Sequence, residues 1–272
     1  MNRIDTTFQA LATHNRKALV GFLTAGDPDF DTSLAILRAG CRAGLDIIEL
    51  GVPFSDPTAD GPVIQRASQR ALKTGATLGR AIALAAALRR TETTPIVLFS
   101  YYNPIFKYGL ARTAREAAEA GVDGLLVVDL PPEEAGPLAD ALAGTGMHII
   151  RVAAPTTTPA RLRMLNVGAG GFLYLITRRG VTGTGGLDYA AVGAHAAAVK
   201  SACALPVCLG FGISSAADAA ALGPFADGLI VGSALVRLVE AHAAGPDALP
   251  AVVAAKIREL RAGLDGAAAP AD

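Results

Sequence analysis

Eight short apolar runs alternate along the chain with alanine- and leucine-rich stretches of helical period, most of the turns between them carrying glycine, proline or charge. The runs lie near 18–24, 46–50, 95–100, 122–128, 147–152, 171–176, 206–209 and 227–231. Short apolar runs bounded by Gly, Pro or Asp read as buried strands. Helices are predicted between them near 29–43, 62–72 with 77–90, 107–120, 133–144, 159–167, 189–202, 214–222 and 233–242, many introduced by Pro, Asp or Ser. A last helix near 247–263 places Lys256, Arg258, Glu259 and Arg261 on its predicted wet face.

Repeated strand–helix units imply a parallel sheet, and eight strands are the number that closes into a barrel. An open doubly wound sheet is the alternative. Closure is favoured because the glycine-rich and charged segments follow the strands, which gathers them on one C-terminal rim. The fold class is therefore α/β, a single (β/α)8 TIM barrel over residues 1–263, with an extra helix over 2–13 closing the opposite end. Residues 264–272 have little to bury and are expected to be a disordered tail.

Composition narrows the partners. With 272 residues and 51% hydrophobic content the chain can bury one large core, and Lys+Arg and Asp+Glu balance at 24 each, which leaves no basic field for nucleic acid. Anion recognition must be local. Cys41, Cys203 and Cys208 show no metal or redox spacing, and they suit a reduced cytoplasmic protein. The N-terminus lacks a signal peptide's apolar core, and the uncharged run 201–217 is broken by Pro206, Gly210 and Gly212, so no membrane span is expected.

The stretch Ile47 to Gly61, Ile-Ile-Glu-Leu-Gly-Val-Pro-Phe-Ser-Asp-Pro-Thr-Ala-Asp-Gly, carries the sharpest chemical signal. An acid inside an apolar run costs free energy unless it is paired or holds its proton, so Glu49 calls for a reason, and proton transfer to carbon is one. A strand-end surface acid is the plainer reading of Glu49, and a helix N-terminal acid that of Asp60.

On the last strands' rim lie Thr177 to Gly186, Gly210-Phe211-Gly212-Ile213-Ser214 and Gly232-Ser233. Glycine lets backbone amides approach an anion, and helix starts carry positive potential, so these turns could cradle a phosphate; they could also merely reverse the chain. Residues 178–186 read as a lid or an ordinary loop. Phe22, Tyr101-Tyr102-Asn103-Pro104 and Tyr174 could line a pocket for a flat apolar ligand or simply fill the core. His14, His148, His195 and His242 lack metal-ligand spacing, no Gly-x-Ser-x-Gly elbow occurs, and Gly210-x-Gly212 falls short of a dinucleotide fingerprint. Proton handling is left to carboxylates and Tyr174.

Taken together, Phe22-Leu23-Thr24-Ala25-Gly26-Asp27-Pro28, Glu49 to Gly61, Tyr101 to Pro104, Asp129-Leu130-Pro131, Arg178 to Gly183 and Gly210 to Ser214 resemble the tryptophan synthase alpha chain family, over about residues 15–262. The resemblance implies retro-aldol cleavage of indole-3-glycerol phosphate to indole and glyceraldehyde 3-phosphate. It implies Glu49 as the acid–base acting at carbon and hydroxyl, with its pKa raised by desolvation, and Asp60 as an ionised acceptor for the ring N–H. Phe22, Leu98 and Tyr101 match indole-pocket positions, Tyr174 and Thr182 lie near the reacting centre, and Gly183, Gly212, Gly232 and Ser233 match the phosphate cradle. Thr58 and Thr177-Arg178-Arg179 depart from the family's usual residues.

The resemblance also implies a β-chain partner in an α2β2 heterotetramer, with pyridoxal phosphate in that partner and no cofactor or metal in this chain. Docking is expected on rim segments 53–58, 103–106 and 129–134, with Asp56, Asn103 and Pro131 at the interface. Rival readings are a stand-alone lyase, a non-catalytic phosphate sensor, and another phosphosugar aldolase or isomerase, which would call for a suitably placed Schiff-base lysine. Lys107 and Lys200, both placed in helices, disfavour the last.

Overall fold

All eight apolar runs form strands in the computed structural model, which describes residues 1–176, 188–210 and 212–266. They are Ala18–Thr24 (β1), Ile47–Gly51 (β2), Ile96–Ser100 (β3), Gly124–Val127 (β4), His148–Ala153 (β5), Leu173–Ile176 (β6), Val207–Gly210 (β7) and Gly228–Val231 (β8). Each pairs in parallel with the next, and β8 returns to β1 in register from Ala18↔Gly228 to Gly21↔Val231, so the sheet is a closed barrel and the open-sheet alternative is excluded.

The helices are Arg3–Thr13 (α1), Phe30–Ala43 (α2), Pro62–Lys73 (α3), Leu78–Arg89 (α4), Tyr102–Tyr108 (α5), Leu110–Glu119 (α6), Gly136–Leu142 (α7), Pro159–Asn166 (α8), Tyr189–Ala202 (α9), Ala216–Leu222 (α10), Ser233–His242 (α11) and Leu249–Leu264 (α12). The side chains of Asp29, Thr77, Thr158, Asp188 and Ser215 each cap a helix by accepting from an amide in its first turn, which is why these residue types precede the periodic stretches.

Two expected helices are interrupted. Gly109, at φ +98°, separates α5 from α6, and a 3-10 turn at Pro132–Glu134 precedes α7, which restarts with Pro137 in its first turn. Arg261 is not on a wet face. It is buried against the barrel's lower edge, bonding Asp46 and Asp265. Leu264 is still helical and buried, and Asp265 accepts from Arg16 and Arg261, so the ordered chain outruns the expected tail boundary by at least two residues.

Alternation along each strand sorts the side chains. On β2, Ile48 and Leu50 pack outward against the helices, while Ile47 points inward with Val20, Val97, Leu126, Ile150, Phe172, Cys208 and Ile230. Ile4, Phe8 and Leu11 of α1 complete this inner layer and plug the N-terminal end, as expected. Asp46, Asp123 and Asp227, just ahead of β2, β4 and β8, each accept a neighbouring strand's N–H, from Leu19, Ile96 and Val207. These lower acids hold strands together. An acid at the opposite end needs another account.

Among the described residues no single helix is long and apolar enough to cross a membrane; α3 and α4 reach that length only together, and they meet at 91°.

Candidate active site

Above the α1 plug the inward layer opens into a cavity of about 390 Å³ at the strands' C-terminal ends, within the size range of small-molecule sites. Its walls are Phe22, Phe99, Val128, Val152, Tyr174 and Ile176, with Glu49 at its inner side. Residues 59–64 of the β2–α3 segment enclose one flank, and Gly212, Ile213, Gly232, Ser233 and Arg237 the other. The rings of Phe22 and Phe99 meet edge to face at 5.2 Å, giving the apolar side a fixed shape.

Glu49 is only 1% exposed, and its Oε1 has no partner among the described residues. Burial alone pushes its carboxyl up to about 8, so it carries its proton at neutral pH. The surface-acid reading is overturned. Asp60 is raised as well, by burial, to about 6, and is held from rising further by a hydrogen bond from the Tyr101 hydroxyl. The two acids still differ, Glu49 protonated and Asp60 largely ionised near neutrality.

Tyr174 stays a neutral phenol, its acidity suppressed first by burial and then by the charge of Glu49. Its ring fits because residue 210 is glycine: a Cβ there would lie 2.3 Å from the Tyr174 hydroxyl oxygen.

The two rim turns are not equivalent. At α10, Asp218 closes the helix start itself, forming a capping box with Ser215 and accepting from the Ser214 amide. At α11 no side chain caps the helix, and its start faces the cavity through Gly232 and Ser233. Gly212, at φ +85°, turns beside it in a conformation that suits glycine. An uncapped helix start beside a glycine turn is a seat for an anion.

Of the residues named from sequence, the fold brings Phe22, Glu49, Asp60, Tyr174, Gly212, Gly232 and Ser233 around one cavity. Leu98 is not there: it faces the helices in the outer core, and Phe99, one residue on, takes the wall position. Tyr101 is not a wall residue either. It lies behind the 59–64 segment, where its hydroxyl accepts the Ala59 N–H at 2.9 Å, donates to Asp60, and its ring packs on Phe54. Thr182, Gly183 and the lid over 178–186 fall outside the described residues. Asp56, Asn103 and Pro131 are exposed, as is Phe106, at 59%. No cluster of His, Cys, Asp or Glu suited to a metal occurs among the described residues.

A barrel mouth that joins a protonated acid, an ionised acid and an apolar wall to an anion seat suits enzymes that break carbon–carbon bonds in phosphorylated substrates by moving protons. The chain belongs to the tryptophan synthase alpha chain family, whose model matches residues 8–265. It is 52% identical to the tryptophan synthase alpha chain of Desulfosudis oleivorans over 96% of this chain and 98% of that one. With the alpha chain of Burkholderia multivorans it shares 47% identity over 98% of both. The solved structure of tryptophan synthase subunit alpha from Legionella pneumophila superposes with a TM-score of 0.90 at 37% identity, covering 98% of this chain and 99% of the other. The chain is accordingly an alpha subunit and a lyase acting on indole-3-glycerol phosphate.

Proposed function

We propose that Glu49 and Asp60 divide the cleavage between them. Glu49 begins protonated and gives its proton to the indole carbon bearing the glycerol phosphate chain. Positive charge then develops at the ring nitrogen, where the ionised Asp60 accepts the N–H and stabilises it. The resulting Glu49 carboxylate takes the proton of the side-chain hydroxyl as the carbon–carbon bond breaks, releasing indole and the aldehyde of glyceraldehyde 3-phosphate. Glu49 ends as it began, so the protons balance.

Phe22 and Phe99 hold the ring, the Tyr174 hydroxyl borders the reacting centre, and Gly212, Gly232 and Ser233 receive the phosphate. The observation that carries this reading is Glu49 itself, buried, its Oε1 without a partner among the described residues, lining the cavity with a pKa of about 8.

The released indole passes to a β chain that carries pyridoxal phosphate, in an α2β2 assembly in the cytoplasm. Family membership and the exposed Asp56, Asn103, Phe106 and Pro131 support that docking face. The loop after β2 runs from this rim to Asp60, so docking can alter the site by moving one segment. Indole release from indole-3-glycerol phosphate, measured with and without added β chain, tests the proposal: release that the partner accelerates supports it, and none under either condition defeats it.

A further inference from the structure

Arg237 belongs to no sequence motif, yet it lines the cavity beside Ser233. It sits one turn along α11, and its Nη2 donates to Ser233 Oγ at 3.3 Å. Two arginines of α3 at the neighbouring helix face, Arg66 and Arg70, are committed to Glu240, and Arg70 also to Asp27. Arg237 has no such acid among the described residues. It is also the one cationic side chain among the described residues lining this cavity. A guanidinium without a carboxylate, tethered to the hydroxyl of an uncapped helix start, is placed to receive a charged oxygen from the same side as the backbone amides.

We propose that Arg237 is a specificity-determining residue that binds the substrate's phosphate dianion together with the α11 start and selects phosphorylated over unphosphorylated indolyl glycerol. Resting on the function proposed above, the inference adds a cationic side chain to an otherwise backbone seat. Because Arg237 is solvent-exposed, its contribution weakens as salt rises.

The test compares the full-length parent with Arg237→Ala and Arg237→Lys on indole-3-glycerol phosphate and on its dephosphorylated analogue. For Arg237→Ala the KM for the phosphorylated substrate should rise about tenfold at low salt with kcat within about twofold, and Arg237→Lys should recover most of the loss. The dephosphorylated analogue should be handled alike by all three. Calorimetric titration with inorganic phosphate supplies a readout independent of turnover, with weaker binding expected in Arg237→Ala. A KM change below about twofold, or equal losses on both substrates, overturns the inference. A parent that cleaves neither substrate but loses phosphate binding on Arg237→Ala would instead defeat the proposed function and leave the anion contact standing.

Discussion

The hydroxyl of Tyr101 joins two parts of one segment: it accepts the Ala59 N–H at 2.9 Å and donates to the carboxylate of Asp60. A residue at the end of β3 thus fixes both the position and the charge of an acid in the loop after β2. Tyr101→Phe removes that donor. Because the hydrogen bond lowers the Asp60 pKa, its loss should move the acid limb of the kcat/KM profile upward from about 6, with a several-fold fall in activity at neutral pH. An unmoved limb would show that Tyr101 only packs.

The pH profile of the parent follows from the two acids. Activity requires Asp60 ionised, above about 6, and Glu49 protonated, below about 8. A bell with those limbs is expected in kcat/KM, which reports the free enzyme. A profile flat through this range would separate these groups from the chemistry.

Stability carries the same signature. The Glu49 carboxyl is raised from 4.5 to about 8 in the fold, so ionising it favours the unfolded chain. Relative to Glu49→Gln, the parent should lose stability as pH rises from about 4.5 to about 8, by on the order of a few kcal/mol. Denaturant unfolding of both proteins across that range checks it, and parallel curves would contradict the burial argument.

Leu98 and Phe99 should part company on substitution. Leu98→Ala opens the outer core and should cost about 2–5 kcal/mol of stability with little change in KM. Phe99→Ala removes a wall of the cavity and should raise KM about tenfold. Chemical denaturation and steady-state kinetics on the pair read the difference directly.

On the rim, Asp56→Ala and Phe106→Ala should weaken acceleration by the β chain while indole release by the α chain alone stays within about twofold. Titrating β chain into each variant checks this, and equal acceleration of variant and parent would place docking elsewhere.

The strands were legible because most of the apolar runs end in Gly, Asp, Pro or a charged turn, and Glu49 because an acid interrupts one of them. Register within an all-apolar run was not. Ile96-Val97-Leu98-Phe99 shows no alternation of its own, and only its pairing with β2, Glu49 opposite Val97, decides that Phe99 faces inward. The raised pKa of Asp60 comes from its burial in the folded loop, partly offset by Tyr101, which is distant in sequence, so nothing local announced it. Arg237 reads as an ordinary exposed helix residue until the barrel closes and sets its helix start over the cavity.

The central claim is that a buried, protonated Glu49 carries the proton to carbon. Single-turnover indole release from indole-3-glycerol phosphate by Glu49→Gln tests it most directly, with binding of glyceraldehyde 3-phosphate as the control for an intact site. Release slowed by about a thousandfold or more with ligand binding preserved is the predicted result. Release within about tenfold of the parent would contradict the account.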